Sequence, residues 1–328
     1  MISAPNFCAK ARARADLPLA VGPAISQMRG VMQIALTLVG AHADLVTAAI
    51  GDITPGLAAL GAHVKEPSHL GPDAVDLLLE GGEVATLRAH VARVLGERPI
   101  DVCVQPLEGR RKGLLIADMD STIIGCECLD ELADFAGVKD QVSAITERAM
   151  RGELEFDAAL RERVAMLKGL SIDALQATYE QRVQLNPGAR TLVRTMAHHG
   201  ARCLLVSGGF TFFTERVAKA VGFHGHKSNT LIVDGDKLTG EVADPILGRQ
   251  AKLDALLEET AALGLDPVRN MALGDGANDL AMIEAAGLGL AYRAKPIVAA
   301  QADAKLDYAD LTAGLYFQGY RIEEFVVD

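Results

Sequence analysis

The chain has 328 residues, enough for two domains of roughly 100 to 200 residues each, and half of them are hydrophobic, so a sizeable core can be buried. Its 32 basic and 43 acidic residues leave a formal net charge of −11, a field that repels polyanions and argues against nucleic acid as a partner; an anionic small molecule would need a local positive site. Five cysteines (Cys8, Cys103, Cys126, Cys128, Cys203) form no C-x-x-C pair and suggest neither a disulfide framework nor a zinc site; no apolar run approaches the roughly 20 residues that span a bilayer, and a reducing, cytoplasmic setting is expected.

Residues 1–30 carry Lys10, Arg12 and Arg14 ahead of "LPLAVGPAI", but prolines and the lack of a small-residue cleavage pattern make this an N-terminal extension rather than a leader. Residues 31–106 alternate as strand, helix, strand, strand, helix, strand: "MQIALTLVG", "DLVTAAIGDITPGLAALGA", "AHVKEP", "AVDLLLEG", "EVATLRAHVARVLG" and "IDVCVQP". That order matches a ferredoxin-like α+β unit. Pro55 inside the first helical pattern is expected to kink or split it. "PLEGRRKG", 106–113, is polar and turn-rich and predicts a solvated interdomain linker, with Arg110, Arg111 and Lys112 in water.

From residue 113 to 328 strands alternate with helices. "GLLIADMD" is a continuous apolar strand of the kind buried on both faces of a parallel sheet. Residues from about 125 to 186 contain helical patterns only. "ARCLLVSGG", "NMALGDG" and "LGLAY" are further strands, and "NTLIV" and "KLTGEV" form a hairpin across Asp234-Gly235-Asp236. The fold class expected is α/β: a doubly wound parallel sheet with a helical cap inserted after its first strand.

Ligands of such sheets gather at the carboxyl ends of the strands. Three strands here end in Asp118 and Asp120, in Ser207, and in Asp275, Asn278 and Asp279. Carboxylates this close repel unless a cation sits among them, and hard oxygen donors favour Mg²⁺. With Lys252, a metal and a nucleophilic carboxylate suit a phosphate ester, whose cleavage asks for placement and charge neutralisation. A D-x-D metal site of a glycosyltransferase is the competing reading of Asp118 and Asp120 alone.

The motifs D-x-D-S-T at 118–122, "SGG" at 207–209, Lys252 and G-D-G-x-N-D at 274–279 resemble, in order, the four motifs of the haloacid-dehalogenase-like phosphatases. Within them, "DSTIIGCECLDELA" and "AMRGELEFDAALRERVAMLKGL" resemble the phosphoserine phosphatases, over roughly residues 113–310. The resemblance implies Asp118 as nucleophile, Asp120 as acid then base, and Mg²⁺ held by Asp118, the Asp120 carbonyl and Asp275. Ser207, Lys252 and the backbone N–H groups of Gly208 and Gly209 would take the phosphoryl oxygens, and Asn278 and Asp279 would orient the metal shell and Lys252. Glu127 would meet the ammonium of a phosphoserine substrate, Arg163 its carboxylate, and Met150 and Phe156 its short stem. The front unit resembles amino-acid-binding (ACT-like) regulatory domains and is a candidate for serine binding or homodimer formation, with no ligand motif of its own.

Plainer readings stand beside these. Ser207 suits a cap of the helix near Thr211, Lys252 a solvated charge, Glu127 and Arg163 surface ion pairs, and Met150 and Phe156 core positions of the cap. His224 and His226 have metal-like spacing but read as exposed loop residues; Cys126 and Cys128 read as small buried side chains. Another amino-acid phosphate, such as phosphohomoserine or phosphothreonine, or an amino-acid-sensing binding protein, remains an alternative function.

Overall fold

A computed structural model describes residues 31–150 and 153–327, with backbone alone for Ala149 and Met150; the expected extension at 1–30 lies outside the described residues. Strand β1 (Gln33–Gly40) is buried from Ile34 onward. Helix α1 (Ala43–Ala59), β2 (His63–Val64), β3 (Ser68–His69), β4 (Ala74–Glu80), α2 (Val84–Leu95) and β5 (Ile100–Pro106) follow. β1 is antiparallel to both neighbours, and the sheet order is β2-β4-β1-β5, with β3 also on β4. The two helices cover one face and bury Val46, Ile53, Leu57, Leu87 and Val91 with Ile34, Leu36, Leu38 and Leu77. Helix α2 begins where the Glu83 carboxylate accepts from Ala85 N and Thr86 N, satisfying two of the free N–H groups of its first turn.

Pro55 does not split α1, which runs unbroken from Ala43 to Ala59. The carbonyl that loses its donor to a proline lies four residues earlier. Here that residue is Gly51, exposed and free of close neighbours, so water can serve it while Ile53 and Leu57 keep their apolar contacts.

The second face of the sheet carries polar groups that are nonetheless buried: Thr37, Asp76, Asp101 and Gln105. They meet residues 303–320. Asp101 accepts from the N–H groups of Asp307, Tyr308 and Ala309, and Gln105 donates to the Phe317 carbonyl. The expected solvated linker is therefore corrected. Arg110 is 7% exposed; it holds Asp76 with two parallel bonds of 2.6 and 2.7 Å, and donates to Thr37 Oγ1 and to the Phe317 carbonyl. Lys112 is also buried and donates to the Val268 carbonyl. Of the three basic residues only Arg111 stays exposed, paired with Glu324 over the Tyr320 ring. A polar composition describes this segment, but burial follows from partners that sit elsewhere in the chain.

The second sheet starts with β6 (Leu114–Ala117), every residue of it buried. The helical insert comprises α3 (Cys128–Phe135), α4 (Lys139–Met150), α5 (Phe156–Ala165) and α6 (Ile172–Arg182). After α7 (Ala189–His198) come β7 (Arg202–Phe210), α8 (Thr211–Val221), β8 (Gly225–Asn229), β9 (Leu231–Asp234), β10 (Lys237–Val242), α9 (Arg249–Ala262), β11 (Asn270–Gly274), α10 (Leu280–Ala285), β12 (Leu288–Tyr292), α11 (Pro296–Ala299), β13 (Ala304–Leu306) and α12 (Ala313–Phe317). The order β13-β12-β11-β6-β7-β8 is parallel throughout. The chain builds outward from β6 to β7 and β8, then returns to β11 on the other side, which places the switch point beside β6.

The hairpin forms as expected, with Asp234 opposite Lys237 and Gly235 at φ 61 in the turn. β8 corrects the loop expected around His226: its polar sequence is tolerated because it is an edge strand, half-buried along most of its length. The histidines hydrogen-bond locally, His224 Nδ1 with Cys203 N and His226 Nδ1 with Thr214 Oγ1.

Two seams attach the helical insert. At its ends, Ile124 bridges Leu185, Gly125 donates to Gln184, and Asn186 donates to Ile123. At its middle, residues 169–172 pair with the hairpin through Gly169 N to Leu238 O and Ile172 N to Asp236 O. Among the described residues no helix is long and apolar enough to cross a membrane.

Candidate active site

Register brings the strand ends together: Ala117 pairs with Leu273 of β11 on one side and Leu205 of β7 on the other. Asp118 extends β6 by one bond, its N–H donating to the Leu273 carbonyl at 2.9 Å. The chain then leaves the sheet in a tight turn in which Thr122, Ile123 and Ile124 all donate to the Met119 carbonyl, with Ser121 at φ 56. This turn answers why an apolar strand runs into acids. The strand is buried on both faces, and its first residues outside the ladder reach the mouth of the sheet.

Lys252 stands in the first turn of α9 yet is 1% exposed. Its Nζ lies 2.7 Å from Asp118 Oδ1 and 2.6 Å from Asp279 Oδ1, so it is a buried pair-former and not a solvated charge. Asp279 is fully buried, and its second oxygen accepts from the N–H groups of Asp275 and Gly276. Asp120 accepts from Cys128 N at 3.0 Å and from Ser207 Oγ at 3.3 Å. Ser207 does not cap α8; its oxygen accepts from Gly209 N at 2.9 Å, and the N-cap position belongs to Phe210. The Gly209 N–H, expected to face an anion, is therefore engaged by that hydroxyl. Glycine is required at two points of close approach: a Cβ on Gly209 would lie 2.8 Å from Asp120 Oδ2, and one on Gly274 would lie 2.4 Å from Asp279 Cγ.

One oxygen from each of Asp118, Asp275 and Asp279 falls within 4.8 Å of the others. Thr122 Oγ1 donates to Asp275 Oδ1 at 2.8 Å; this hydroxyl was inside the "DST" motif, but nothing local marked its partner 153 residues away. The electrostatics follow from crowding without water. Burial, then Asp279, holds Asp118 well above the usual carboxylate range. Burial, then the charge of Glu127, pushes Asp120 up to about 7, and burial pushes Asp275 to about 6. Burial works against the charge of Lys252, and Asp118 and Asp279 outweigh it, keeping the amine above its ordinary value. Hard oxygens in excess of positive charge fit Mg²⁺. Asp279 is already engaged by Lys252 and two N–H groups, which leaves Asp118 and Asp275 as the side chains with capacity for the ion.

The insert contributes the remaining candidates. Glu127, exposed at the start of α3, accepts from Ser121 Oγ at 2.6 Å. Arg163 on α5 is partly buried, and burial lowers its basicity while Asp130 and Glu127 act against that shift; its Nε donates to its own helix at Ala159. Phe156 lies against both glycine loops, with ring atoms 3.4 Å from a Cβ built on Gly208 and 3.1 Å from one on Gly248. Asn278 places its Oδ1 against Gly276. The Met150 side chain lies outside the described residues. Cys126 and Cys128 are free thiols, Cys128 buried and Cys126 partly so.

The model of haloacid dehalogenase-like hydrolases matches residues 115–284, more than half of the chain. The chain belongs to the haloacid dehalogenase-like hydrolase family. A phosphoserine phosphatase of Polaromonas sp. is 48% identical over 194 residues, 58% of this chain and 82% of that relative. The crystal structure of a probable phosphoserine phosphatase from Vibrio cholerae aligns with a TM-score of 0.69 at 29% identity, covering 90% of this chain and 88% of that one, a share too large for residues 113–328 alone. A phosphoserine phosphatase described as a phospho-aspartyl intermediate analogue aligns over 63% of this chain and 99% of its own, with a TM-score of 0.59 and 36% identity. This hydrolase thus resembles phosphatases of that name in sequence and in overall fold.

Proposed function

We propose that this hydrolase converts O-phospho-L-serine and water to L-serine and inorganic phosphate through a phosphorylated Asp118. The observation that carries the reading is the meeting at one sheet edge of Asp118 with Lys252, Asp120 with Ser207, and Asp275 within ion-sharing distance of Asp118. Asp118 attacks phosphorus as the ester bond breaks; Asp120 donates its proton to the departing serine oxygen. Its raised affinity for a proton, due first to burial, suits that role. In the second half Asp120 takes a proton from the water that attacks the aspartyl phosphate, returning both carboxyls to their starting states. Ser207 and Lys252 hold phosphoryl oxygens. Asp118, the Asp120 carbonyl and Asp275 would hold Mg²⁺, which would supply neutralisation of phosphoryl charge. Asp279 fixes Lys252, Asn278 supports that shell, the Gly208 N–H supplies a backbone donor, and the Gly209 N–H holds the Ser207 hydroxyl in place.

Glu127 faces the substrate ammonium, Arg163 its carboxylate, and Phe156 and Met150 its stem; the position of Phe156 against Gly208 and the mutual field of Glu127 and Arg163 support this division. The sheet order β2-β4-β1-β5 supports reading 31–106 as a ferredoxin-like, ACT-like domain that binds an amino acid or forms a homodimer. A reducing cytoplasm suits the free thiols beside the site.

A panel of phosphomonoesters with and without Mg²⁺ tests the function. Phosphate release from phosphoserine that stops on chelation is expected; preference for phosphothreonine or phosphohomoserine, or silence on all amino-acid phosphates, overturns the substrate. Calorimetry of the full chain with serine and glycine tests the front domain, and silence removes amino-acid sensing.

A further inference from the structure

We infer that Asn229 is a positioning residue for phosphoryl transfer, fixing the spacing between the Ser207–Gly209 loop and the helix that carries Lys252. The inference rests on the functional reading above, in which these two segments hold the phosphoryl group. Asn229 ends β8, opposite Phe210, and is 2% exposed. Its carboxamide makes three bonds to main chain: Nδ2 donates to the Gly208 carbonyl at 2.8 Å and the Leu247 carbonyl at 3.1 Å, and Oδ1 accepts from Leu247 N at 2.7 Å. Carbonyls only accept and that N–H only donates, so the carboxamide has one orientation.

Both contacts act on groups that reach the site. The Gly208 carbonyl and the Gly209 N–H belong to one planar peptide, so holding the oxygen aims the N–H that meets Ser207 Oγ. Leu247 leads through Gly248, the N-cap of α9, to Lys252 in the first turn. One buried side chain therefore ties the hydroxyl loop to the segment that leads to the amine, bonding to both where they approach across the sheet edge.

The test compares Asn229→Asp, isosteric but placing a carboxylate against two carbonyl oxygens, Asn229→Ala, and Asn270→Ala. Asn270 is an equally buried asparagine at the opposite end of the sheet, bonded to Thr260 Oγ1 and Gly287 N, and serves as the structural control. Both Asn229 variants are expected to lose about 10²-fold in kcat, the scale of a small misplacement of reacting groups, with KM for phosphoserine within about threefold because ground-state binding is retained. Inhibition by orthovanadate should weaken alongside kcat. Asn270→Ala should lower the melting temperature comparably and leave kcat unchanged. Asn229 variants that behave like Asn270→Ala, or that both fail to fold, assign Asn229 to the scaffold and overturn the inference. A wild-type chain silent on phosphoserine strikes the functional reading instead, and the inference falls with it.

Discussion

Two buried clusters of charge among the described residues differ in balance. Against the front sheet, Arg110 meets Asp76 through two bonds, and Thr37 and main-chain carbonyls take up the remaining capacity of the guanidinium. At the edge of the second sheet, Lys252 alone faces Asp118 and Asp279, with Asp120 and Asp275 beside them. The first group is closed and neutral. The second carries more anion than its lysine can offset, and burial first, with the neighbouring carboxylates after it, makes its carboxyls hold protons more tightly. Equal burial thus means different things: a satisfied pair joins segments, whereas an over-acidic cluster is a receptacle for added positive charge.

Asp118→Asn gives the sharpest break of this contrast. Turnover of phosphoserine should fall by on the order of 10⁴-fold or more, the scale for removal of a covalent nucleophile. In chelator the variant should melt higher than the parent, since one crowded carboxyl is gone, and added Mg²⁺ should raise its melting temperature less. A variant that keeps both turnover and the metal response would erase the distinction between the clusters.

Arg110→Met probes the balanced group. It strands Asp76 in a buried place and should cost about 3 to 5 kcal/mol in denaturant unfolding, the range for breaking a buried pair; adding Asp76→Leu should recover most of it. A silent Arg110→Met would mean that the joint does not depend on this pair. Next in size is Arg163→Ala, for which kcat/KM on phosphoserine should drop about 10- to 100-fold, as for a lost hydrogen bond to a charged group, while an aryl phosphate changes little. Equal losses on both substrates would remove the carboxylate clamp. The smallest effect belongs to the exposed pair of Arg161 with Asp244, where Arg161→Ala should change stability by less than about 1 kcal/mol; a larger loss would show that the insert is held by charge at its surface.

How legible these features were depended on how far apart their causes lie. β6 could be read because a strand covered on both faces needs unbroken apolar residues, and the hairpin because its turn chemistry is local. The joint could not: Arg110 finds Asp76 at a separation of 34 residues and the Phe317 carbonyl at 207, so polar, turn-rich composition mimicked a solvated linker. Pro55 misled because the solvent exposure of Gly51, which relieves it, is a property of the folded surface. Asn229 stood at the head of the hairpin run "NTLIV" with nothing to separate it from a turn residue, and Thr122 sat in a motif without a visible partner.

Order and chemical type were determined by the sequence alone: which residues carry carboxyl, hydroxyl and amine groups, and that they end apolar strands, because strand burial is a pattern of neighbours along the chain. Proximity was decided by the tertiary structure. Parallel register sets Ala117 beside Leu273 and Leu205, a lateral pairing between segments far apart in the chain that gathers the strand-end motifs into one site, while Asp76 and the Phe317 carbonyl, equally remote in sequence, turn Arg110 into a buried joint.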